Sequence, residues 1–454
     1  MNARALAGRP KVRAWLWLLA AGLAVTVAIA GDYLRGPSHT TTVAVKRPLD
    51  PADLRLGFGP QTYDEALTGA TQRIESMRGQ LERHPGEWLP MEGLARALFA
   101  RYRLTAGADD LAEAGRMLDR ALANAPWPAG PTLSRAGVSL AMHDLDGATA
   151  ALRRFDASAV PPPIEERREA QSIRCEIAFE RGRLADAQKL CAPSDDVGIA
   201  LRRANIAAKT GDTTQAARII EGLLRAPRLP PSTVAMLALQ RASVALAAGD
   251  WRGSGQWAHA ADRAFPGYWL SEAYVAQQLA LEGDRAEARR RYARLAARTG
   301  DADVLDALAW LTKADGRAAE SREWTAKAGV AWLARSERLP GTYATHYAEH
   351  LLLHGQPREA LKLAESDYRR RPFPATIGHY AFALWRNDQP GRALAVLRAG
   401  EARGFKTADM KMTEALALGA IGRVDEADAA LAEARRLNPK IDDLRQQFVA
   451  FQQE

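Results

Sequence analysis

The stretch Ala276-Gln277-Gln278-Leu279-Ala280-Leu281-Glu282-Gly283-Asp284-Arg285-Ala286-Glu287-Ala288 decides how the chain is read. A glycine stands five positions before a small residue that opens a new apolar helix, and another small residue stands twelve positions before that one. The phrase returns as Gly182…Ala187, Gly211…Ala216, Gly249…Ser254, Gly316…Ser321, Gly355…Ala360 and Gly422…Ala427. Looser copies are Asp109…Ala114, His143…Ala148 and Asp388…Ala393. The small residues run from 114 to 427 in nine steps, a mean period just under 35 residues, which is an internal repeat array. The column twelve positions earlier is independent of the first. It reads Ala136, Cys175, Ala204, Ala242, Ala276, Ala309, Ala348, Ala381 and Ala415, and only the first repeat departs, with Tyr102.

Two helices joined by a tight turn explain these columns. Glycine at the turn accepts positive φ without steric cost, and small residues on either side let the helices approach closely. Leu270, Val275, Leu279, Leu305 and Leu308 fill the remaining seam at helical spacing. Pro126, Pro266, Pro372 and Pro439 each follow a small anchor by twelve residues and stop the second helix. Such a hairpin buries its apolar face only by stacking on neighbours.

These columns resemble the tetratricopeptide repeat family over roughly residues 88–440. The resemblance implies an all-α fold, an α-solenoid of about ten antiparallel helical hairpins, with protein–protein interaction as its default role. The large apolar residue that the family places before the first small column is Arg135, Arg174, Arg203 and Arg241 in the N-terminal half. It is Val275, Leu308, Tyr347 and Tyr380 in the C-terminal half. Those arginines are expected to lay their stems along the seam and pair with acids such as Glu169 or Glu221. Residues 63–87 and 441–454 read as capping helices.

The 454 residues carry a net charge of +8 and only two cysteines, so a disulfide-dense scaffold is excluded. Arg4, Arg9, Lys11 and Arg13 supply half of that charge, with no acid in the first thirty residues. The nearly balanced remainder gives no support to a nucleic-acid partner. Residues 1–13 read as a basic cytoplasmic segment and 14–30 as seventeen uncharged residues, the lower edge of a transmembrane helix. By the positive-inside rule the chain is then a single-pass bacterial inner-membrane protein with its body in the periplasm. Ala28-Ile29-Ala30 before Gly31 fits a cleavage site, so a cleaved signal and a soluble periplasmic body stay open. Residues 31–62, rich in Gly, Pro and Thr, read as a flexible linker.

His346, His350 and His354 recur every four residues, and His379 takes the equivalent place one repeat later. With Ala348 directed at the partner helix, His346 and His350 lie about 160° away on either side, toward the family's concave groove. With Glu349 they could hold zinc or copper. No HExxH or cysteine ligand supports this, so no metal and no cofactor is assigned and a solvated histidine face is the default. Trp310, Leu353, Phe382, Trp385 and Arg386 lie on neighbouring first helices, and aromatic and Arg residues on an exposed surface are the composition of binding hot spots. The expected partner-binding groove is therefore Trp310, His346, Glu349, His350, Leu353, His379, Phe382, Trp385 and Arg386. Cys175 and Cys191 stand at the same height on antiparallel helices, either bridged or as two buried thiols. No GxSxG, P-loop or GxGxxG after a strand is present, and no catalytic residue is assigned.

The expected function is a non-enzymatic scaffold for other proteins or peptides, presented in the periplasm and supporting an envelope or secretion assembly. The alternatives are metal or small-ligand capture by His346, His350 and His379, and an accessory role in exopolysaccharide export.

Overall fold

The computed structural model describes residues 49–226 and 228–451, and among them it contains twenty-one α-helices and no strand. A leading helix α1 (Tyr63–Arg83) is followed by ten helical hairpins. The first five are α2 (Trp88–Thr105) with α3 (Ala108–Asn124), α4 (Thr132–Ala141) with α5 (Leu145–Asp156), α6 (Ile164–Glu180) with α7 (Leu184–Leu190), α8 (Val197–Lys209) with α9 (Thr213–Leu224), and α10 (Pro231–Ala247) with α11 (Trp251–Ala264). The second five are α12 (Trp269–Glu282) with α13 (Arg285–Thr299), α14 (Ala302–Ala314) with α15 (Ala318–Arg338), α16 (Pro340–Leu353) with α17 (Pro357–Arg370), α18 (Pro374–Arg386) with α19 (Pro390–Ala402), and α20 (Ala408–Ala420) with α21 (Val424–Leu437).

The repeat phrase builds each hairpin in a definite way. Gly283 sits at φ 103°, and the looser copies reach the same left-handed region through His143 at 52° and Asp388 at 57°. Where aspartate follows the glycine, as in Asp212, Asp250 and Asp284, its carboxylate accepts a backbone N–H of the next helix and caps it. Both small columns are buried throughout, from Tyr102 and Ala114 to Ala415 and Ala427.

The hairpins form two layers. First helices lie inside, and in the C-terminal half two are covered nearly all round: α18 buries every residue from Pro374 to Leu384, and α14 every residue from Ala302 to Thr312. Second helices lie outside and bury one stripe, as α17 does with Ala360, Ala364 and Asp367.

The superhelix is tight enough to close on itself. The turn of hairpin 3 meets the junction after hairpin 8, where a Cβ on Gly182 would stand 2.6 Å from the Pro372 carbonyl oxygen. The turn of hairpin 4 meets the junction after hairpin 9, where the Lys406 N–H donates to the Lys209 carbonyl at 3.0 Å. The turn of hairpin 5 meets the end of hairpin 10, where Asn438 donates to the Leu246 carbonyl at 3.4 Å. Each turn thus packs against the junction five hairpins later. Phe179 joins the two superhelical turns, with ring centroids 5.9 Å from Phe373 and 5.8 Å from Phe405.

Both ends differ from the sequence expectation. Residues 49–62, read as linker, dock on the array: the Leu49 N–H donates to Glu221 at 3.2 Å and the Gly57 N–H to the Leu229 carbonyl at 2.6 Å. The C-terminal cap is a 3-10 turn, Leu444–Phe448, followed by extended chain. The N–H groups of Ala450 and Phe451 both donate to Gln277 Oε1 at 2.6 Å, and the Phe451 ring stacks on Tyr292. The single-pass inner-membrane placement is corrected: no helix among the described residues is long and apolar enough to cross a membrane. The segment 14–30, on which that placement rested, lies outside the described residues.

Candidate functional site

The expected groove is not an open surface. Trp310, His350, His379 and Phe382 are each 5% exposed or less, and His346, Glu349, Leu353, Trp385 and Arg386 are half-buried. Neighbouring hairpins supply cover: His346 stacks on Trp332, Gly329 of α15 lies against His350, and Arg386 donates to the Leu352 carbonyl at 3.2 Å. Phe382 stacks on Trp385 with centroids 5.4 Å apart, and the Arg386 guanidinium lies 5.7 Å from the Phe382 ring. Trp385 thus packs on its own helix's aromatic neighbour.

The histidines separate into three environments. His379 pairs with Glu349. His346 stacks on Trp332 at 5.5 Å. Burial, together with His379, His143 and Arg371 nearby, pulls its pKa down to about 3, so the ring is neutral. His350 and His354 converge instead on Asp306, with His350 Nδ1 at 2.8 Å and His354 Nε2 at 3.2 Å from Oδ1. The patch of His346, His350 and His379 is therefore not assembled as one ligand set.

Further charges line the seam between superhelical turns. Glu180 accepts from Arg371 at 3.2 Å and lies 3.1 Å from His143, all buried. Burial alone would push Glu180 up, but His143 and Arg371 hold its carboxyl below the usual range. Arg371 also forks onto Asp367 at 2.7 and 2.9 Å. In the outer seam Arg241 pairs with Glu221 at 2.9 Å, Arg135 with Asp119 at 2.7 Å and Arg174 with Asp156 at 2.6 Å. Cys175 and Cys191 stand with Cα atoms 5.8 Å apart and sulfurs at 2.00 Å, a bridge across hairpin 3.

Among the described residues the seam opens at a cleft between α8, α10 and the start of α20. Leu201, Val244 and Leu437 supply apolar wall, while Asn205, Lys209, Gln240 and Asp409 supply polar groups. Asp409 sits in the first turn of α20, behind Thr407, whose hydroxyl caps the helix. Burial raises its carboxyl to about 6, against the opposing pull of Lys209. Its Oδ1 is buried without a hydrogen-bond partner among the described residues. Sequence reading passed over Asp409 because an acid in a helix's first turn is ordinary there. A signal did exist for Asp306, an acid inside the otherwise apolar run 304–311.

No family model matches this sequence, and no curated protein does. Solved structures similar to it include the TPR domain of P58(IPK), 15% identical over 85% of this chain and 96% of that one, with a TM-score of 0.28. Yeast Tom70 is 14% identical over 86% of this chain and 90% of that one, TM-score 0.34. A Rap protein complexed with competence and sporulation factor is 10% identical over 69% and 98%, TM-score 0.40.

Proposed function

We infer that the chain is a non-enzymatic interaction scaffold that holds a polypeptide, and that the cleft between α8, α10 and α20 seats the partner. The supporting observation is Asp409. A buried carboxylate oxygen with no partner destabilises the fold by about 1–3 kcal/mol, and groups kept at such a disadvantage concentrate at functional sites. Beside apolar wall it fits a partner segment that inserts an apolar side chain and a hydrogen-bond donor, such as lysine, arginine or a backbone amide. The envelope, secretion and exopolysaccharide readings rest on residues 14–30 and take no support from the described residues.

Peptide-display selection on the immobilised chain tests this reading. Selected peptides should lose binding to Asp409→Asn and to Ala208→Trp, which fills the cleft from α8. Selected peptides that bind both variants as tightly as the wild type would remove the cleft as the site.

A further inference from the structure

Asp306 projects from α14 between His350 on α16 and His354 at that helix's C-cap, and the potential ligand atoms of all three lie within 4.8 Å of one another. Two imidazoles and one carboxylate are a donor set suited to a borderline divalent ion, zinc before the others, with a fourth position for water or a ligand from outside. We propose that Asp306, His350 and His354 form a zinc site that pins hairpin 7 to hairpin 8.

Two of the ligands are oriented by a hydrogen-bonding neighbour, as metal ligands generally are. The Trp332 indole N–H donates to Asp306 Oδ2 at 2.8 Å, which leaves Oδ1 turned to both imidazoles. Thr325 Oγ1 stands 3.4 Å from His354 Nδ1, so Nε2 is the nitrogen directed at Asp306. Gly329 keeps α15 close to His350, since a Cβ there would come within 3.0 Å of Nε2. Asp301, the N-cap of α14, is already paired with Arg335 at 2.8 Å, which leaves Asp306 as the carboxylate turned to the two imidazoles. Lys313, over the Trp310 ring at 4.7 Å, is the opposing positive charge on that helix. Entry is from the His354 edge, whose side chain is 11% exposed against 4% for His350 and 9% for Asp306.

The test uses the purified chain and the metal alone. Apo protein is equilibrated with zinc chloride and dialysed, retained zinc is measured by mass spectrometry, and cobalt(II) substitution is followed by visible absorption. The expected result is one equivalent of zinc, a raised Tm with zinc, and intense visible bands with cobalt(II). His354→Ala, at the exposed edge, and Asp306→Asn, which preserves shape, should each weaken zinc binding on the order of 100-fold. Circular dichroism verifies that they fold. His84→Ala, at an exposed histidine outside the cluster, should leave binding unchanged. No zinc retained by the wild type, or equal retention by His354→Ala and Asp306→Asn, would overturn the proposal.

Discussion

Replacing Gly182 and Gly355 by alanine, one at a time, separates what a repeat turn needs locally from what the closed superhelix adds. Both residues lie in the left-handed region, at φ 69° and 88°, so alanine meets the same backbone penalty of about 1–2 kcal/mol at either. Around Gly355 a Cβ meets nothing within 4 Å. At Gly182 it would lie 2.6 Å from the Pro372 carbonyl oxygen and 3.0 Å from Arg403 Nη1, and the carbonyl is backbone of the next superhelical turn. Forcing that contact apart adds about 1–3 kcal/mol, as overpacking does elsewhere. Gly355→Ala is thus expected to cost about 1–2 kcal/mol and Gly182→Ala about 2–5 kcal/mol. Gly249→Ala should fall between them, because its nearest atom is the side-chain Oδ1 of Asn438 at 2.6 Å. Urea unfolding followed by circular dichroism ranks the three. Hydrogen exchange should quicken in Gly182→Ala at both hairpin 3 and the 371–374 junction, but only within hairpin 8 in Gly355→Ala. Equal urea midpoints, with exchange changed only around residue 182, would refute the contact between superhelical turns.

The remaining predictions concern buried charge and the disulfide. Asp409 has a folded pKa raised from 3.8 to about 6, so its ionisation destabilises the fold as pH rises through that window. Asp409→Asn should therefore raise stability at pH 7 by about 2–3 kcal/mol and leave it unchanged near pH 4, measured by thermal melts at both values. His346 acts in the opposite direction: its folded pKa is lowered from 6.5 to about 3, and stability is lost as pH falls between them. His346→Gln should flatten that acid limb in a pH series of Tm values. Arg371→Met leaves Glu180 and Asp367 buried without their guanidinium and should cost about 3–5 kcal/mol in urea titration. Alkylation without reductant should leave the native mass unchanged, and reduction first should add two labels, at Cys175 and Cys191; two labels without reduction would sink the bridge.

The hairpins were legible because each is a local event. Turn residue, cap and two small columns lie within about twenty positions, and the columns recur, so Gly283, Asp284, Ala276 and Ala288 announce the same object that Gly249, Asp250, Ala242 and Ser254 do. The groove was misread from the same residues. Helical geometry places His346 and His350 away from Ala348, but it does not say whether solvent, a neighbouring hairpin or another turn of the superhelix lies on that side. His350 shows this most plainly: the sequence offered His346, Glu349 and His379 as companions, and the fold supplies Asp306, 44 residues earlier on another hairpin.

From its repeat period alone the sequence determined an all-α array of ten hairpins, where each turns, and which small residues meet inside it. Only the tertiary structure decided how neighbouring hairpins pack and how tightly they wind, and together these settle which charges are buried, which histidines share a carboxylate, and where the seam stays open. The reason is the range of the interactions. A turn or cap depends on neighbours a few residues away, whereas superhelical closure sums small rotations over five hairpins, and no single column of the repeat records that sum.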